Sequence, residues 1–309
     1  MVSPSRSVLH IGGAKTASTT LQTGVLANSK DLHYFGEFGD AVTTQEEESL
    51  VRSLLEADDS YFDESAVTDM FLRHIALAGD GTFVFSSADV LLACRPRQIA
   101  KRLFNLMPSP PRVLLVVRNQ ITAIDSYYSG HGAWLKPAPR PFFRSFVSFD
   151  NWWEFQRTVP YSSAMRMFDY SRQLQEFSRL AGPGMTTVVA FEDLVGGTHE
   201  AWRLLGECLG VDADEARRAF TSRRDRNRVT TRHVIAGRVA GALLPWRATP
   251  DVRSIDGQLG DFLSRGERFS PSWSKAQIDW ANSAFGHGNR QLSDAFGLDL
   301  HRHGYPGLT

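Results

Sequence analysis

Four short runs rich in β-branched and aromatic residues recur along the chain, with longer segments of helical spacing between them. The runs are Ser7–Ile11, Thr82–Ser86, Arg112–Val117 and Thr186–Phe191. Because parallel strands must be joined by crossover connections, usually helices, this alternation predicts an α/β fold. The last two runs lack polar alternation, which is typical of strands buried on both faces. We therefore expect three layers, with a central parallel sheet flanked by helices.

The segments between the runs space their apolar residues as amphipathic helices do. The predicted helices are Glu46–Ala57, Asp63–Ala78, Arg97–Leu106, Met165–Leu180, Glu200–Leu209 and Trp273–Phe296. At 34.5 kDa and 42% hydrophobic residues, the chain can bury one sizeable core, so we expect a single domain over residues 1–309. Prolines exclude regular helix from residues 136–141 and predict an inserted segment around residues 131–160.

Charge and cysteine content exclude several classes of protein. Lys plus Arg and Asp plus Glu each number 34, so no overall field favours nucleic acid, and we expect no nucleic-acid partner. No stretch reaches the roughly 20 apolar residues of a membrane span, and the first seven residues lack a signal-peptide core. The protein is therefore predicted to be cytoplasmic, with no membrane span. Cys94 and Cys208 lack disulfide or zinc-site spacing, which predicts reduced, buried thiols and no metal.

The first run continues into a turn of small residues and then into the start of a helix. Residues 8–22 are VLHIGGAKTASTTLQ. Small residues let the backbone curl around an anion, and the unpaired N–H groups of the first helical turn point toward it. Lys15 adds a positive charge, and hydroxyl donors come from Thr16, Ser18, Thr19 and Thr20. The segment predicts a phosphate site, the alternative being a Ser/Thr-rich helix N-cap.

A nucleotide triphosphatase loop would have the pattern G-x-x-x-x-G-K-[ST], but Leu9 and Ala14 stand where its glycines belong. The loop instead resembles the 5′-phosphosulfate loop of sulfotransferases that use 3′-phosphoadenosine 5′-phosphosulfate (PAPS), whose pattern is K-[ST]-G-[ST]-T. Ala17 stands where that family usually has glycine. The resemblance implies a P-loop-like fold and nucleotide binding by Lys15, Thr16, Ala17, Ser18, Thr19 and Thr20.

The run that ends at Val117 is followed by Arg118 and Asn119, and then by a predicted helix that contains Ser126. Ligands of open parallel sheets bind at the carboxyl ends of strands, and a guanidinium can hold a phosphate with two parallel hydrogen bonds. The spacing resembles the 3′-phosphate motif of the same family, which implies that Arg118 and Ser126 bind that phosphate. Gln120 stands where the family commonly has proline. An ordinary salt bridge of Arg118 is the alternative.

Arginines are concentrated late in the chain, at Arg217, Arg218, Arg223, Arg224, Arg226, Arg228 and Arg232. A solvated helix face is the usual explanation of such a run. The family closes the 3′-phosphate end of PAPS with a late basic segment, so the resemblance implies a nucleotide contact from Arg226 or from its neighbours Arg224 and Arg228. Glu192 and Asp193 resemble a family turn and are predicted to be structural, by capping a helix and pairing with arginines.

Sulfonate transfer is an in-line displacement, so the resemblance implies that Lys15 stabilises the leaving phosphate. The acceptor also needs a general base, which is histidine or glutamate in the family. Glu37 is the first candidate and Asp89 the second, while His33 and His131 remain open. The aromatic residues between Phe142 and Phe155 either line an acceptor pocket beneath a lid or form the core of an inserted helix.

Together these resemblances imply a PAPS-dependent sulfotransferase. Its acceptor would be a hydroxyl or amine of a small molecule or carbohydrate, with PAPS as co-substrate and no metal. Two alternatives stay open. A small-molecule kinase of the P-loop type would need a metal-binding carboxylate at a strand end, where this chain has Arg118. A non-catalytic nucleotide-binding protein could use the same fold.

Overall fold

A computed structural model describes residues 6–36, 44–91, 95–132, 147–159, 163–222, 229–243 and 257–308. Its sheet contains β1 (Arg6–His10), β2 (Leu32–Gly36), β3 (Thr82–Ser86), β4 (Arg112–Val117) and β5 (Thr186–Ala190). The strand order is β2-β3-β1-β4-β5, and each neighbouring pair is parallel. The predicted α/β fold with a central parallel sheet is confirmed.

Helices connect these strands and follow them. They are α1 (Ser18–Thr20), α2 (Gln45–Glu56), α3 (Glu64–Ala78), α4 (Pro96–Asn105), α5 (Gln120–Tyr127), α6 (Phe149–Thr158), α7 (Ala164–Met167), α8 (Tyr170–Ala181), α9 (Phe191–Gly196), α10 (His199–Leu209), α11 (Ala213–Ser222), α12 (Thr231–Leu243), α13 (Gly257–Ser264) and α14 (Lys275–Phe296). A π-helical stretch, Leu21–Leu26, continues α1, and another, Tyr128–Gly132, continues α5. Short 3₁₀ turns lie at Ala88–Val90 and His301–His303.

Alternate residues of the strands face two different layers of helices. In β4, Val113, Leu115 and Val117 pack in one core with residues of α2 to α8 and α14. Leu114 and Val116 pack on the opposite face with residues of the first helix, α10 and α11. Successive side chains of a strand point to opposite faces, so a strand covered on both faces must be apolar throughout. The three-layer arrangement therefore follows directly from the unbroken hydrophobic runs.

Two features of the fold differ from the sequence prediction. The edge strand β2 was not predicted, although the segment Leu32–Gly36 combines β-prone aromatic residues with a terminal glycine. The helix predicted over Met165–Leu180 is divided into α7 and α8, because Asp169 starts a new helix by accepting a hydrogen bond from the Arg172 N–H at 3.4 Å. Such an N-cap stabilises a helix start where the apolar spacing alone shows no break.

The aromatic segment can be assessed over residues 147–159, since residues 133–146 and 160–162 lie outside the described ranges. Phe149, Trp152 and Trp153 of α6 are at most 7% exposed. The ring of Trp153 lies 5.0 Å from those of both Trp273 and Trp280, in edge-on contacts. In the described part of the segment, these aromatic residues form core rather than a pocket wall.

Cys208 is a free, buried thiol, whereas Cys94 lies outside the described residues. Burial raises the pKa of the Cys208 thiol, which keeps it protonated. Across the described part of the chain, no helix combines the length and the apolar character needed to cross a membrane.

The strand order places a topological switch point between the carboxyl ends of β1 and β4, where open α/β sheets have their binding crevice. The chain leaves β1 toward β2 on one side of the sheet and leaves β4 toward β5 on the other. Where two neighbouring strands send their connections in opposite directions, the loops separate, and ligands of open α/β sheets bind in the gap. The loop after β1 contains Lys15, and the residue that follows β4 is Arg118.

Candidate functional site

The hydroxyls of the loop after β1 close the loop on itself. Thr16 and Ser18 are 1% and 4% exposed. Both donate to the Gly13 carbonyl, at 2.7 and 2.9 Å, and their own oxygens lie 3.2 Å apart. The N-cap of α1 is Ala17, without a side-chain cap. The hydroxyls therefore do not play the part of a helix N-cap, which was the alternative interpretation of this segment.

Two residues of this loop adopt a left-handed backbone conformation. Lys15 has φ 69° and Ala17 has φ 64°, and they are the only non-glycine residues with positive φ in the described ranges. This conformation brings the Cβ of an L-residue close to the following carbonyl, at a cost of about 1–2 kcal/mol. Glycine avoids that contact, which explains why the resembled pattern has glycine at the position of Ala17. Ala17 keeps the loop shape and stores strain in it.

Gly12 allows the loop to pass close to the end of β1. A Cβ placed on Gly12 would lie 2.5 Å from Ser18 Oγ and 2.6 Å from His10 Nε2. Both distances are far below van der Waals contact, so no residue larger than glycine fits without displacing one of these side chains. Gly12 thereby brings together the imidazole of His10 and the hydroxyl of Ser18.

Arg118 joins the two sequence motifs. Its guanidinium donates to the Lys15 carbonyl at 2.7 Å and to Thr122 Oγ1 at 3.1 Å. It also lies over the Phe191 ring, 4.6 Å from the centroid, and the residue is 8% exposed. Its partners are thus a carbonyl, a hydroxyl and a ring, and no carboxylate in the described ranges forms an ion pair with it. The alternative of an ordinary salt bridge finds no support there.

A second arginine, not predicted from the sequence, acts on Arg118. Burial, followed by the positive charge of Arg268, lowers the pKa of the Arg118 guanidinium. Arg268 is exposed and forms an isolated antiparallel bridge with Thr230. The positive charges of Arg118 and Arg268 act on each other and together favour a bound anion. In the sequence, Arg268 belongs to the segment 265–268, which holds two arginines and one glutamate and lies beyond the arginine-rich run.

The bridge also locates the end of the arginine-rich run. Residues 223–228, which include Arg224, Arg226 and Arg228, lie outside the described ranges. Val229, the next described residue, accepts a hydrogen bond from the Phe269 N–H at 3.0 Å, and the Thr231 N–H donates to the Glu267 carbonyl at 2.9 Å. The described residues that follow Arg228 are therefore paired with the segment that carries Arg268.

Ser126 lies in the last turn of α5 and is half-buried. It is four residues beyond Thr122, the residue that Arg118 contacts, so both lie on one face of the helix.

Asp125, the neighbour of Ser126, accepts hydrogen bonds from Ser270 Oγ at 2.8 Å and Trp273 Nε1 at 2.6 Å. Burial raises the pKa of the Asp125 carboxyl, while these bonds oppose the shift. The bonds hold the segment that follows Arg268 against α5.

The turn after β4 is held from a distant part of the chain. The Asn119 side chain caps α5 and donates to the carbonyls of His303 and Gly304 at 2.9 and 2.8 Å.

Two acidic residues after β5 hold the same turn. Glu192 accepts hydrogen bonds from the Asn119 N–H and the Tyr305 hydroxyl, both at 3.0 Å. Asp193 pairs with Arg302 and with His303 Nε2. Glu192 and Asp193 therefore attach residues 302–305 to the site. Neither caps the next helix, α10, whose N-cap is Thr198 without a side-chain cap, so that part of the prediction is wrong.

Gln120 also has a structural role. It is 1% exposed and exchanges two hydrogen bonds with the Asn289 side chain, at 2.7 and 3.2 Å. Asn289 in turn donates to the Pro306 carbonyl at 2.9 Å. A proline at position 120 could make none of these bonds, so the substitution in the resembled motif adds a buried amide pair.

The candidate bases occupy different surroundings. Asp89 is exposed just after β3, and its charge is a minor cause, after burial, of the raised pKa of Tyr127, the residue next to Ser126. His33 lies near the start of β2, where its Nε2 lies 3.1 Å from His74 Nδ1 and burial lowers its pKa. Glu37 follows β2 but lies outside the described residues, as does the His131 side chain.

The predicted nucleotide-binding residues are thus partly brought together. Three of them are half-buried, namely Lys15, Ala17 and Thr20, whereas Thr19 is exposed in the first turn of the helix. Arg118 contacts the backbone of this loop. Ser126 lies on the face of α5 that Arg118 contacts, and Arg226 lies outside the described residues.

Solved structures of sulfotransferases resemble this chain over nearly its whole length. A sulfotransferase from Alicyclobacillus acidocaldarius matches at a TM-score of 0.51 and 12% identity, over 97% of this chain and 98% of that one. The sulfotransferase domain of the Synechococcus PCC 7002 olefin synthase matches at 0.44 and 15% identity, over 97% of each chain. The sulfotransferase domain of the curacin biosynthetic pathway matches at 0.42 and 10% identity, over 97% and 99%.

No protein-family model and no curated protein sequence matches the chain. The match to the Alicyclobacillus structure shows the fold, and the resemblance inferred from two short motifs is confirmed at that level. A fold by itself does not fix chemistry, which must be argued from the site.

Proposed function

We propose that this chain, which has the fold of sulfotransferases, transfers a sulfonate group from PAPS to a hydroxyl or amine of a small-molecule or carbohydrate acceptor. One observation carries the proposal: the Arg118 guanidinium donates to the Lys15 carbonyl at 2.7 Å. The two groups assigned to opposite ends of one nucleotide thus border the same crevice, at the divergence of β1 and β4. That is where open α/β sheets bind ligands.

The charges around the crevice support an anion with two separated phosphates. Lys15 and the loop hydroxyls would hold the 5′-phosphosulfate end. Arg118, Ser126 and Arg268 would hold the 3′-phosphate, which would relieve the repulsion between the two guanidinium groups. The pairing of Val229 with Phe269 supports an additional contact from Arg226 or its neighbours.

The reaction would be an in-line displacement at sulfur. The acceptor oxygen or nitrogen forms a bond to sulfur, the bond between sulfur and the 5′-phosphate oxygen breaks, and adenosine 3′,5′-bisphosphate leaves. Negative charge grows on that phosphate oxygen, where the Lys15 ammonium stabilises it. The acceptor proton passes to a general base, for which Glu37 is the first proposal and Asp89 the second. Glu37→Gln and Asp89→Asn, compared in turnover, test that order.

Nucleotide binding is the first experiment. Isothermal titration should show tighter binding of adenosine 3′,5′-bisphosphate than of ATP with magnesium, because only the bisphosphate presents a phosphate to Arg118 and Arg268. Preference for ATP would contradict the proposal and favour the kinase. Binding of the bisphosphate without transfer from radiolabelled PAPS, across a broad panel of hydroxyl and amine acceptors, would favour the non-catalytic protein.

Separate roles for the two cations predict a specific pattern of kinetics. Lys15→Ala should lower turnover far more than bisphosphate affinity, because the ammonium acts on charge that develops in the transition state. Arg118→Ala should chiefly weaken affinity, by about tenfold or more, as expected for a charge-assisted hydrogen bond. Lys101→Ala and Arg179→Ala, which remove the same charges from exposed helix positions, are the matched controls. Small and equal effects of Lys15→Ala and Arg118→Ala would overturn the assignment.

A further inference from the structure

A buried chain of three polar side chains leads to the loop from inside the protein. Gln22, Ser86 and His10 are each 0% exposed and come from the first helix, β3 and β1. Gln22 Nε2 lies 2.9 Å from Ser86 Oγ, and Ser86 Oγ lies 2.7 Å from His10 Nδ1. Burying such polar groups costs free energy unless all of their donors and acceptors are hydrogen-bonded. We therefore expect these three side chains to have a function.

The geometry orients the amide of Gln22. Gln22 Nε2 lies 3.5 Å from the Ser86 carbonyl as well as 2.9 Å from the hydroxyl. The amide nitrogen must therefore face Ser86, because the amide oxygen would face another carbonyl oxygen. With Ser86 accepting from Gln22, its hydroxyl proton is available to His10 Nδ1. In this arrangement His10 carries its own proton on Nε2.

The Nε2 atom of His10 has no hydrogen-bond partner among the described residues, although it is completely buried. Burial lowers the pKa of His10 to about 4, so the imidazole is neutral and carries one N–H near pH 7. His10 Nε2 and Ser18 Oγ both lie next to Gly12, because a Cβ on that residue would be 2.6 Å from Nε2 and 2.5 Å from Oγ. The unpartnered donor therefore lies beside a hydroxyl of the anion loop.

Ser18 can change its hydrogen bond without disturbing the loop. Its proton is given to the Gly13 carbonyl at 2.9 Å, but Thr16 also donates to that carbonyl, at 2.7 Å. If the Ser18 proton turned to an anion in the loop, the carbonyl would remain bonded. The oxygen of Ser18 would then have lone pairs free to accept a hydrogen bond.

We propose that Gln22, Ser86 and His10 form a relay that orients the Ser18 hydroxyl as a donor to the anion in the loop. When the anion binds, His10 Nε2–H donates to Ser18 Oγ and Ser18 donates to the anion. Every bond then runs in one direction, so that each strengthens the next. His10 is a positioning residue that acts through Ser18. Under the proposed function, on which this inference builds, the anion is the 5′-phosphate of the nucleotide.

Histidine ¹⁵N chemical shifts test the relay directly. The His10 signal is assigned as the one missing from His10→Asn. We expect the Nε2–H tautomer in the free protein, and a change at Nε2 when inorganic phosphate or adenosine 3′,5′-bisphosphate is added. The Nδ1–H tautomer, or a His10 signal that neither ligand changes, would overturn the relay.

A pair of substitutions separates the relay from simple packing. His10→Asn keeps an acceptor for Ser86 but removes the distal donor, whereas His10→Gln places an amide N–H near the Nε2 position. We expect His10→Asn to weaken binding of both ligands about tenfold, the size of one hydrogen bond to a charged group, and His10→Gln to restore most of it. Circular dichroism and thermal unfolding establish that each variant is folded.

A double-mutant cycle identifies Ser18 as the intermediary. Once Ser18→Ala has removed the hydroxyl, adding His10→Asn should weaken binding little further. Additive losses would overturn the relay. If phosphate produces the expected changes but the bisphosphate does not bind, the relay stands and the proposed function fails. If the bisphosphate binds and His10→Asn has no effect, the proposed function stands and the relay fails, and binding of neither ligand overturns both.

Discussion

Replacing Ala17 by glycine should stabilise the protein relative to the same replacement three residues earlier in the loop. Ala17 has φ 64° and ψ 23°, a conformation that glycine adopts freely. Relief of this strain is worth about 1–2 kcal/mol. Against it stand the greater chain entropy of glycine in the unfolded state, about 0.5–1 kcal/mol, and the loss of one half-buried methyl group.

Ala14→Gly provides the matched control, because Ala14 lies in the same loop, is also half-buried and does not have positive φ. It loses a methyl group and gains chain entropy without relief of strain. The free energies of unfolding of the two variants should therefore differ by about 1–2 kcal/mol, with Ala17→Gly the more stable. Urea denaturation of both variants and the parent chain measures this difference, provided that the m-values agree.

Equal destabilisation by the two substitutions would show that Ala17 is not strained and that the loop has another shape. Ala17→Gly should also retain bisphosphate affinity, because the backbone amides keep their positions. Loss of affinity with unchanged stability would be equally incompatible with the reasoning, since it would assign the methyl group a role in binding.

Two further predictions concern charge. Arg268→Ala should weaken bisphosphate binding about tenfold in titrations, yet leave the free protein equally or more stable, because it removes repulsion on Arg118; Arg265→Ala is the exposed control. His10 has a pKa of about 4 when folded and about 6.5 when unfolded, so below pH 6.5 the unfolded chain binds the additional proton and stability falls as pH falls toward 4. Between pH 7 and pH 5 this contribution lowers the free energy of unfolding by about 2 kcal/mol. A folded His10→Asn variant should lose that much less stability over the same pH range, and an identical pH dependence in both proteins would contradict the prediction.

Local patterns were sufficient to predict most of the sheet. The strand Arg112–Val117 is predicted to the residue, because an unbroken apolar run flanked by proline and by a polar turn admits little else. β2 has the same length as β1, β3 and β5, but it was missed because Leu32–Gly36 begins soon after the first helical segment ends at Leu26. A strand of this kind is defined by its partner β3 more than by its own residues.

The candidate site shows a similar division. Lys15 and Arg118 were found because each belongs to a local motif at a strand end. Arg268 was missed because its segment is held against α5 by bonds from Ser270 and Trp273 to Asp125, residues 145 and 148 positions apart, and no local pattern encodes such contacts. His10 was overlooked because a histidine inside a strand resembles a core residue until its neighbours Ser86 and Gln22 are known.

The attachment of His303 and Gly304 to Asn119 joins positions 184 and 185 residues apart in the chain. We expect contacts between such distant segments to form late, after the entropy of closing a very long loop has been overcome. The sheet can therefore assemble before the turn that orients Arg118 is fixed. A ligand that needs this turn would bind only after the rate-limiting step of folding, so it should leave the refolding rate unchanged and act by slowing unfolding.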